Sequence, residues 1–114
     1  MKTTPILDIS ADAFGAWLRG FAPQRYVGRA YTACGCPIAV YIAASIPHVG
    51  SVNVEERMVS IRYFGETRFT EYALPLWAQA FIDGVDMFGF ETSVTAGAAI
   101  EVLGRVMALE GVAA

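Results

Sequence analysis

A run of mostly apolar residues between two prolines constrains this chain more than any other feature. The run reads C-P-I-A-V-Y-I-A-A-S-I-P, from Cys36 to Pro47. Proline suits the first position of a helix because its missing N–H would lack a partner there, and a following proline ends a helix. We predict a helix from Pro37 to Ile46 that is apolar on every side. Such a helix should be central and buried.

The composition indicates one domain, residues 1–114, that is rich in apolar residues and short of charged ones. The chain has 114 residues, of which 55% are hydrophobic and 17% are charged. Typical domains have about 45–50% apolar and about 25% charged residues. Either the domain is mostly core with a thin surface, or some apolar surface is covered by another copy or a partner. Exposed apolar patches usually have a reason, so we favour the second explanation and expect a homo-oligomer or a protein partner.

Charge and hydropathy exclude several classes of protein. The net charge of −3 argues against a general nucleic-acid binder, which usually has a strongly basic face. No apolar run approaches the roughly 18 residues of a membrane span. The first residues, M-K-T-T-P-I-L-D-I-S, do not resemble a signal peptide. Two cysteines without such a signal predict a cytoplasmic protein with free thiols and no membrane partner.

Apolar stripes with helical spacing predict three further helices. The first should run from Ser10, a suitable N-cap, to Phe21. The second should begin at Pro75 and stop at Gly89, and the third should follow the N-cap Thr95.

The middle of the chain changes to the alternation typical of strands. We predict strands at about 52–55, 58–64 and 67–72, with a turn at Glu55–Arg57 and a type II′ turn at Gly65-Glu66. A short extended piece is expected at Tyr26-Val27. The predicted order is α-α-β-β-β-α-α, an α+β domain with helices on one face of a three-stranded antiparallel meander.

Cys34 and Cys36, separated by one glycine, allow three interpretations. A zinc site needs about four ligands, usually with C-x₂₋₄-C spacing and a second ligand pair. The chain has one histidine, His48, and lacks that second pair, so we predict no metal and no other cofactor. A strained disulfide, or a Cys36 thiolate at a helix N-terminus, would support redox chemistry. The third interpretation, which we favour, is a tight corner of small residues at a helix start.

Arg25, Arg29 and Tyr31 form a second constellation, close to the predicted helix start at Cys36-Pro37. Guanidinium groups beside an aromatic ring could bind a nucleotide or another small anion. No glycine-rich phosphate motif accompanies them. The alternative is a solvated polar edge that covers apolar helices.

No set of residues in the sequence forms a recognised catalytic motif. A catalytic histidine needs a positioned nucleophile or carboxylate, and His48 has neither in a known pattern. Asp83 and Asp86 most simply form the wet face of a helix. We therefore predict no catalytic residues. Trp17 and Trp77 should be core anchors, with an interface role as the alternative.

Four segments together resemble a loose group of small uncharacterised bacterial and phage proteins. These are F-G-A-W-L, Y-V-G with C-P-I-A-V-Y-I, L-P-L-W-A-Q-A-F-I-D-G-V-D and V-T-A-G-A-A-I-E-V-L. The most specific element is C-P-I-A with Tyr41. The resemblance carries over no activity and no site, but a phage or mobile-element origin would favour an accessory protein or inhibitor that acts by binding.

These observations favour a small non-enzymatic interaction protein that self-associates or docks on a protein partner. Two alternatives remain open. One is a nucleotide or anion-binding module that uses Arg25 and Arg29, and the other is a thiol-redox or metal site at Cys34 and Cys36.

Overall fold

The computed structural model of the chain describes residues 4–110 and has an α+β fold. Its elements are α1 (Ala11–Arg19), β1 (Tyr26–Arg29), α2 (Pro37–Ser45), β2 (Val49–Val54), β3 (Met58–Tyr63), β4 (Thr70–Ala73), α3 (Leu76–Asp86), β5 (Ser93–Thr95) and α4 (Ala96–Glu110). The α+β class is confirmed, and so are the four helices. None of the helices in this described part is long and apolar enough to cross a membrane.

Side-chain caps explain where the first and last helices begin. The Ser10 hydroxyl accepts a hydrogen bond from the Ala13 N–H at 3.1 Å. The Thr95 hydroxyl accepts from the Ala98 N–H at the same distance. Each cap satisfies a backbone donor that the helix leaves free. Both predicted N-caps are confirmed.

The side chains of the central helix α2 are mostly buried as far as Ile42 and exposed after it. It begins at Pro37, as predicted, and Ile38 and Ile42 are completely buried. Ala43, Ala44 and Ser45 in the last turn are exposed, so the prediction of burial on every side is wrong there. These side chains are small and expose little apolar surface, so leaving them in contact with water costs little free energy.

The predicted antiparallel meander is confirmed, in the order β2-β3-β4. Val52 lies opposite Ile61, and Val54 lies opposite Val59. All four side chains are buried, because alternate residues of a strand point to the same face. The other face carries polar pairs: Ser51 with Arg62 and Asn53 with Ser60.

The connection from β3 to β4 is longer than predicted. It covers residues 64–69, and β4 is Thr70–Ala73 instead of 67–72. The Glu66 N–H donates to the Tyr63 carbonyl oxygen at 3.0 Å. Gly65 therefore takes the second central position of the turn, with φ of +84°, as in a type II turn and not the predicted type II′ turn.

The structure has a second sheet of two short strands, β1 and β5. The sequence predicts an extended segment only at the first of them. β1 pairs with β5 in antiparallel register, with Gly28 opposite Val94. The extended piece near Tyr26 was expected, but β5 has three residues and is too short to show an alternating pattern. The Ala96 N–H donates to the Arg25 carbonyl oxygen at 2.8 Å. This bond ties the start of α4 to the start of β1.

Aromatic rings from three helices meet in the core around Phe14. Its ring centroid lies 5.0 Å from that of Phe81, 5.2 Å from that of Tyr41 and 5.5 Å from that of Trp77. Phe81 and Tyr41 approach edge to face, a geometry worth about 0.5–1.5 kcal/mol per pair beyond burial. The cluster fastens α1, α2 and α3 to one another.

Gly28 lets β1 press directly against the start of α2. A Cβ atom at this position would lie 2.6 Å from the Pro37 nitrogen, 2.7 Å from the Gly35 oxygen and 2.8 Å from the Cys36 carbonyl carbon. All three are backbone atoms, which cannot move aside as a flexible side chain could. The Arg29 N–H also donates to the Gly35 oxygen at 2.8 Å.

We predict that Gly28→Ala lowers the free energy of unfolding by about 2–3 kcal/mol, the upper range for overpacking. Urea unfolding followed by circular dichroism measures this change. The matched control is Gly104→Ala in α4, where a Cβ would meet nothing within 4 Å. Because alanine favours a helix over glycine, the control should gain about 0.5–1 kcal/mol. Equal stability of the two variants would contradict the close approach.

The hydroxyl groups of Tyr63 and Tyr72 share a hydrogen bond of 2.9 Å. This bond and partial burial raise the pKa of Tyr63 to about 12. We predict that one tyrosine titrates late when absorbance at 295 nm is followed with rising pH. The unfolded chain deprotonates first, near the ordinary value of about 10, so this contribution to stability is lost as the pH rises from 10 through 12. Tyr72→Phe should abolish the late step, whereas Tyr26→Phe should retain it.

Candidate functional site

The loop after β1 and the turn after α3 are locked together at one end of the molecule. The Tyr31 N–H donates to the Asp86 carboxylate at 3.0 Å. The Ala30 N–H donates to the Thr92 carbonyl oxygen at 2.9 Å, and the Glu91 N–H donates to the Ala30 carbonyl oxygen at 3.1 Å. Two segments far apart in sequence therefore form one fixed unit.

Two residues of this unit have left-handed backbone conformations that are unusual for residues with side chains. Tyr31 has φ of 58° and Glu91 has φ of 54°. This conformation costs roughly 1–2 kcal/mol for a residue other than glycine. The hydrogen bonds made by both N–H groups offset that cost. Strain of this kind is often retained where it positions functional side chains.

Large apolar side chains are concentrated on and beside this unit. Met87 is 85% exposed, Phe90 is 76% exposed and Leu109 in α4 is 86% exposed. The rings of Tyr31 and Phe90 are tilted by 39° to each other, with centroids 6.2 Å apart. Half of the ten large exposed apolar residues in the described part of the chain lie here. We call this surface the apolar end, and it consists of Tyr31, Met87, Phe88, Phe90 and Leu109.

An open groove of about 620 Å³ runs between α3 and α4 beneath Met87 and Leu109. Its floor is small and apolar, since it includes Ala80, Gly84 and Val102. The exposed residues Asp83 and Arg105 are its two charged lining residues, one on each helix. The groove thus combines apolar surface with one acid and one base.

A smaller cleft of about 190 Å³ opens on the other side of Tyr31. Its lining includes Cys36 and the carboxylates of Glu55, Glu56 and Asp86. Three carboxylates create a negative potential that repels anions. No histidine is among the residues that line this cleft.

Neither the groove nor the acidic cleft is lined by all three of the predicted anion-binding residues. Tyr31 lines the acidic cleft, but Arg25 and Arg29 do not. The Arg25 guanidinium lies 5.4 Å from the centre of the Phe21 ring, where a cation–π contact forms. An anion site built from Arg25, Arg29 and Tyr31 stays a prediction, and the carboxylates beside Tyr31 weigh against it.

The Cys34-Gly35-Cys36 segment forms the corner at which α2 begins. The Cys36 sulfur accepts a hydrogen bond from the Ala39 N–H at 3.5 Å and so caps the helix. The Cys36 N–H donates to the Thr32 carbonyl oxygen at 2.9 Å. Both thiols are free, with Cys34 exposed and Cys36 buried. The geometry agrees with a structural corner.

Thiol and metal chemistry gain no support from this corner. Burial raises the pKa of the Cys36 thiol, and hydrogen bonds from the helix backbone lower it by less. A raised pKa leaves less of the reactive thiolate, opposite to the effect that redox chemistry at this helix start requires. Within residues 4–110, no three or more histidine, cysteine or acidic side chains come close enough to hold a metal ion.

The two tryptophans belong to the core more than to the surface. Trp77 is 6% exposed, and its indole N–H donates to the Ile9 carbonyl oxygen at 3.3 Å. Trp17 is half-buried, with its ring centroid 5.0 Å from that of Phe21. Trp77 thus offers a partner very little surface, whereas Trp17 keeps one partly open edge.

The apolar end is not among the predicted sites, although one local signal points to it. The sequence predicts a helix that stops at Gly89, whereas α3 ends at Asp86 and Phe88 is exposed in the turn that follows. The run M-F-G-F, residues 87–90, puts three large apolar side chains where a turn usually has polar ones. That departure indicates exposed apolar surface.

We predict that the two thiols react at very different rates with Ellman's reagent at pH 8. Cys34 should react within seconds to minutes, whereas Cys36 should react at least about 100-fold more slowly, because it is buried and mostly protonated. Cys34→Ser should remove the fast phase, and Cys36→Ser should remove the slow phase. Two equally fast thiols in the folded protein would reopen the redox interpretation.

Comparison with known proteins leaves the chain to be interpreted from its own geometry. No protein-family model, curated protein or solved structure matched the chain. The similarity to small bacterial and phage proteins around C-P-I-A therefore stays a prediction.

Proposed function

We propose that this protein is a small, non-enzymatic interaction module that binds another protein molecule, a second copy or a different protein, through its apolar end. The observation that carries this proposal is the exposure of Tyr31, Met87, Phe88, Phe90 and Leu109. Tyr31 and Phe90 have neighbouring rings, and Met87, Phe88 and Leu109 line one groove. A cluster of apolar side chains in contact with water typically marks a protein interface. The small share of charged residues, 17%, points the same way.

The size of the cluster is sufficient for binding. Burying one large apolar side chain contributes about 1.5–3 kcal/mol. Association itself costs roughly 4–15 kcal/mol in lost freedom of motion. Five anchors can therefore offset that cost, whereas a single exposed side chain cannot.

The locked backbone strengthens the proposal. The contact between the Tyr31 N–H and the Asp86 carboxylate holds the apolar end in shape before any partner arrives. A surface that is already ordered loses less conformational entropy on binding. The strained backbone conformations of Tyr31 and Glu91 fit a loop whose shape is fixed in order to position exposed side chains.

A role in binding also fits the predicted origin. The similarity to small phage and mobile-element proteins favours an accessory protein or inhibitor, which works by occupying a surface of another protein. We propose that such a protein acts in the cytoplasm, where its free thiols would stay reduced.

Photo-crosslinking tests the proposed function. A photoreactive phenylalanine replaces Met87 or Phe90, and the protein is irradiated in the cells that naturally produce it. We expect a discrete crosslinked protein from both positions, at least about tenfold above the yield from Glu71, an exposed control on β4. Exposed apolar anchors should be near the centre of the interface. Equal yields from all three positions would reject the proposal.

A further inference from the structure

We propose that the groove between α3 and α4 binds the same groove of a second copy of this chain, in a dimer with twofold symmetry. This inference rests on the proposed function, since it names the partner of that surface. It follows from a pattern that the two walls of the groove share.

The two walls of the groove share most of one pattern of side chains. Along α3 and its end, the lining has Ala80, then Asp83 beside Gly84, then Met87 beside Phe88. Along α4 it has Val102, then Arg105 beside Val106, then Leu109. The spacing i, i+3, i+4 and i+7 occurs on both walls, and Phe88 extends the α3 wall by one residue, so each set lies along one face.

The two charges hold the same place in the two sequence patterns and have opposite signs. Asp83 is the third residue after Ala80, and Arg105 is the third residue after Val102. In a twofold dimer, a surface patch meets its own copy, so any contact from one residue to another occurs twice. Asp83 can then face Arg105 of the partner subunit, and Arg105 can face Asp83 of the partner subunit.

Met87 and Leu109 supply the apolar contacts of the proposed dimer. Met87 and Leu109 are the most exposed large apolar side chains in the described part of the chain. Gly84 is so close to α4 that a Cβ there would lie 2.7 Å from a Val102 methyl carbon, so the floor of the groove is well filled between the two walls. In the dimer, Met87 and Leu109 of each copy cover the floor of the other.

A second copy fits this groove better than an unrelated apolar helix does. A foreign partner would need a base opposite Asp83 and an acid opposite Arg105, at the right spacing and beside apolar residues. This chain already carries that arrangement. Twofold symmetry makes a surface with one acid and one base complementary to itself.

Charge reversal tests the dimer directly. Asp83→Arg alone puts two like-charged pairs in the interface, and so does Arg105→Asp alone. We expect each purified variant to dimerise at least about tenfold more weakly than the natural protein, measured by sedimentation equilibrium, because apposed like charges disfavour a complex. Mixing the two variants restores both opposite-charge pairs, so a heterodimer should form at about the natural affinity and be identified by its mass in native mass spectrometry.

Matched controls separate the groove from overall charge. Glu71→Arg and Arg68→Asp make the same changes at exposed positions in and next to β4, and each should still form homodimers. Leu109→Ala is the apolar counterpart, because it removes a side chain that is 86% exposed and leaves the core intact. It should weaken the dimer about tenfold and leave the circular dichroism spectrum of the monomer unchanged.

The outcomes distinguish this inference from the proposed function. Homodimers that persist in both charge variants, or a mixture that forms no heterodimer, would overturn the groove dimer. A natural protein that stays monomeric at about 100 µM, far above a micromolar dissociation constant, would overturn it too. In each case, crosslinks from Met87 and Phe90 to a different protein would leave the proposed function standing. Loss of both the dimer and the crosslinks would reject the two together.

Discussion

The close packing of Gly28 against the backbone at Gly35, Cys36 and Pro37 is the constraint on which the rest of the structure depends. It places β1 directly against the first turn of α2, and no side chain fits between them. The loop between these two elements must then turn back sharply, which carries Tyr31 to the end of α3. The geometry of the Cys-Gly-Cys-Pro corner agrees with a structural role, in which small residues let the chain pass close to itself.

Two parts of the structure adjoin this corner: the aromatic core around Phe14 and the loop that contains Tyr31. The aromatic cluster around Phe14 fastens three helices and leaves few polar groups inside. The loop beyond the corner instead reaches the turn after α3 and fixes it through Asp86. The same corner thus positions both the buried start of α2 and the loop that reaches the exposed apolar end. The apolar residues that do not fit the core are held in a defined arrangement on the outside, which is the arrangement a binding surface needs.

Periodicity and capping made the larger part of the fold predictable. Ser10 and Thr95 mark helix starts through short-range hydrogen bonds, and the alternation of Val52 and Val54 marks a strand with one buried face. The short pairing of β1 with β5 depends on contacts between distant segments that no local pattern encodes. Three residues of the apolar end, Met87, Phe88 and Phe90, stand out in the sequence as M-F-G-F. Their proximity to Tyr31 and Leu109 is evident only from the three-dimensional structure. Composition predicts an apolar excess, and only the structure shows which of these residues are exposed.

The pairing of β1 with β5 also affects when the protein can fold during its synthesis. It joins Tyr26 to Thr95, so the ladder closes a loop that includes most of the chain. Contacts of this kind form late, because the entropy of closing a long loop must be overcome before the contact can stabilise anything. Thr95 would therefore have to leave the ribosome before the ladder that holds Tyr31 near Phe90 could form. Shorter nascent chains would expose these apolar residues without the fixed arrangement that the folded protein gives them.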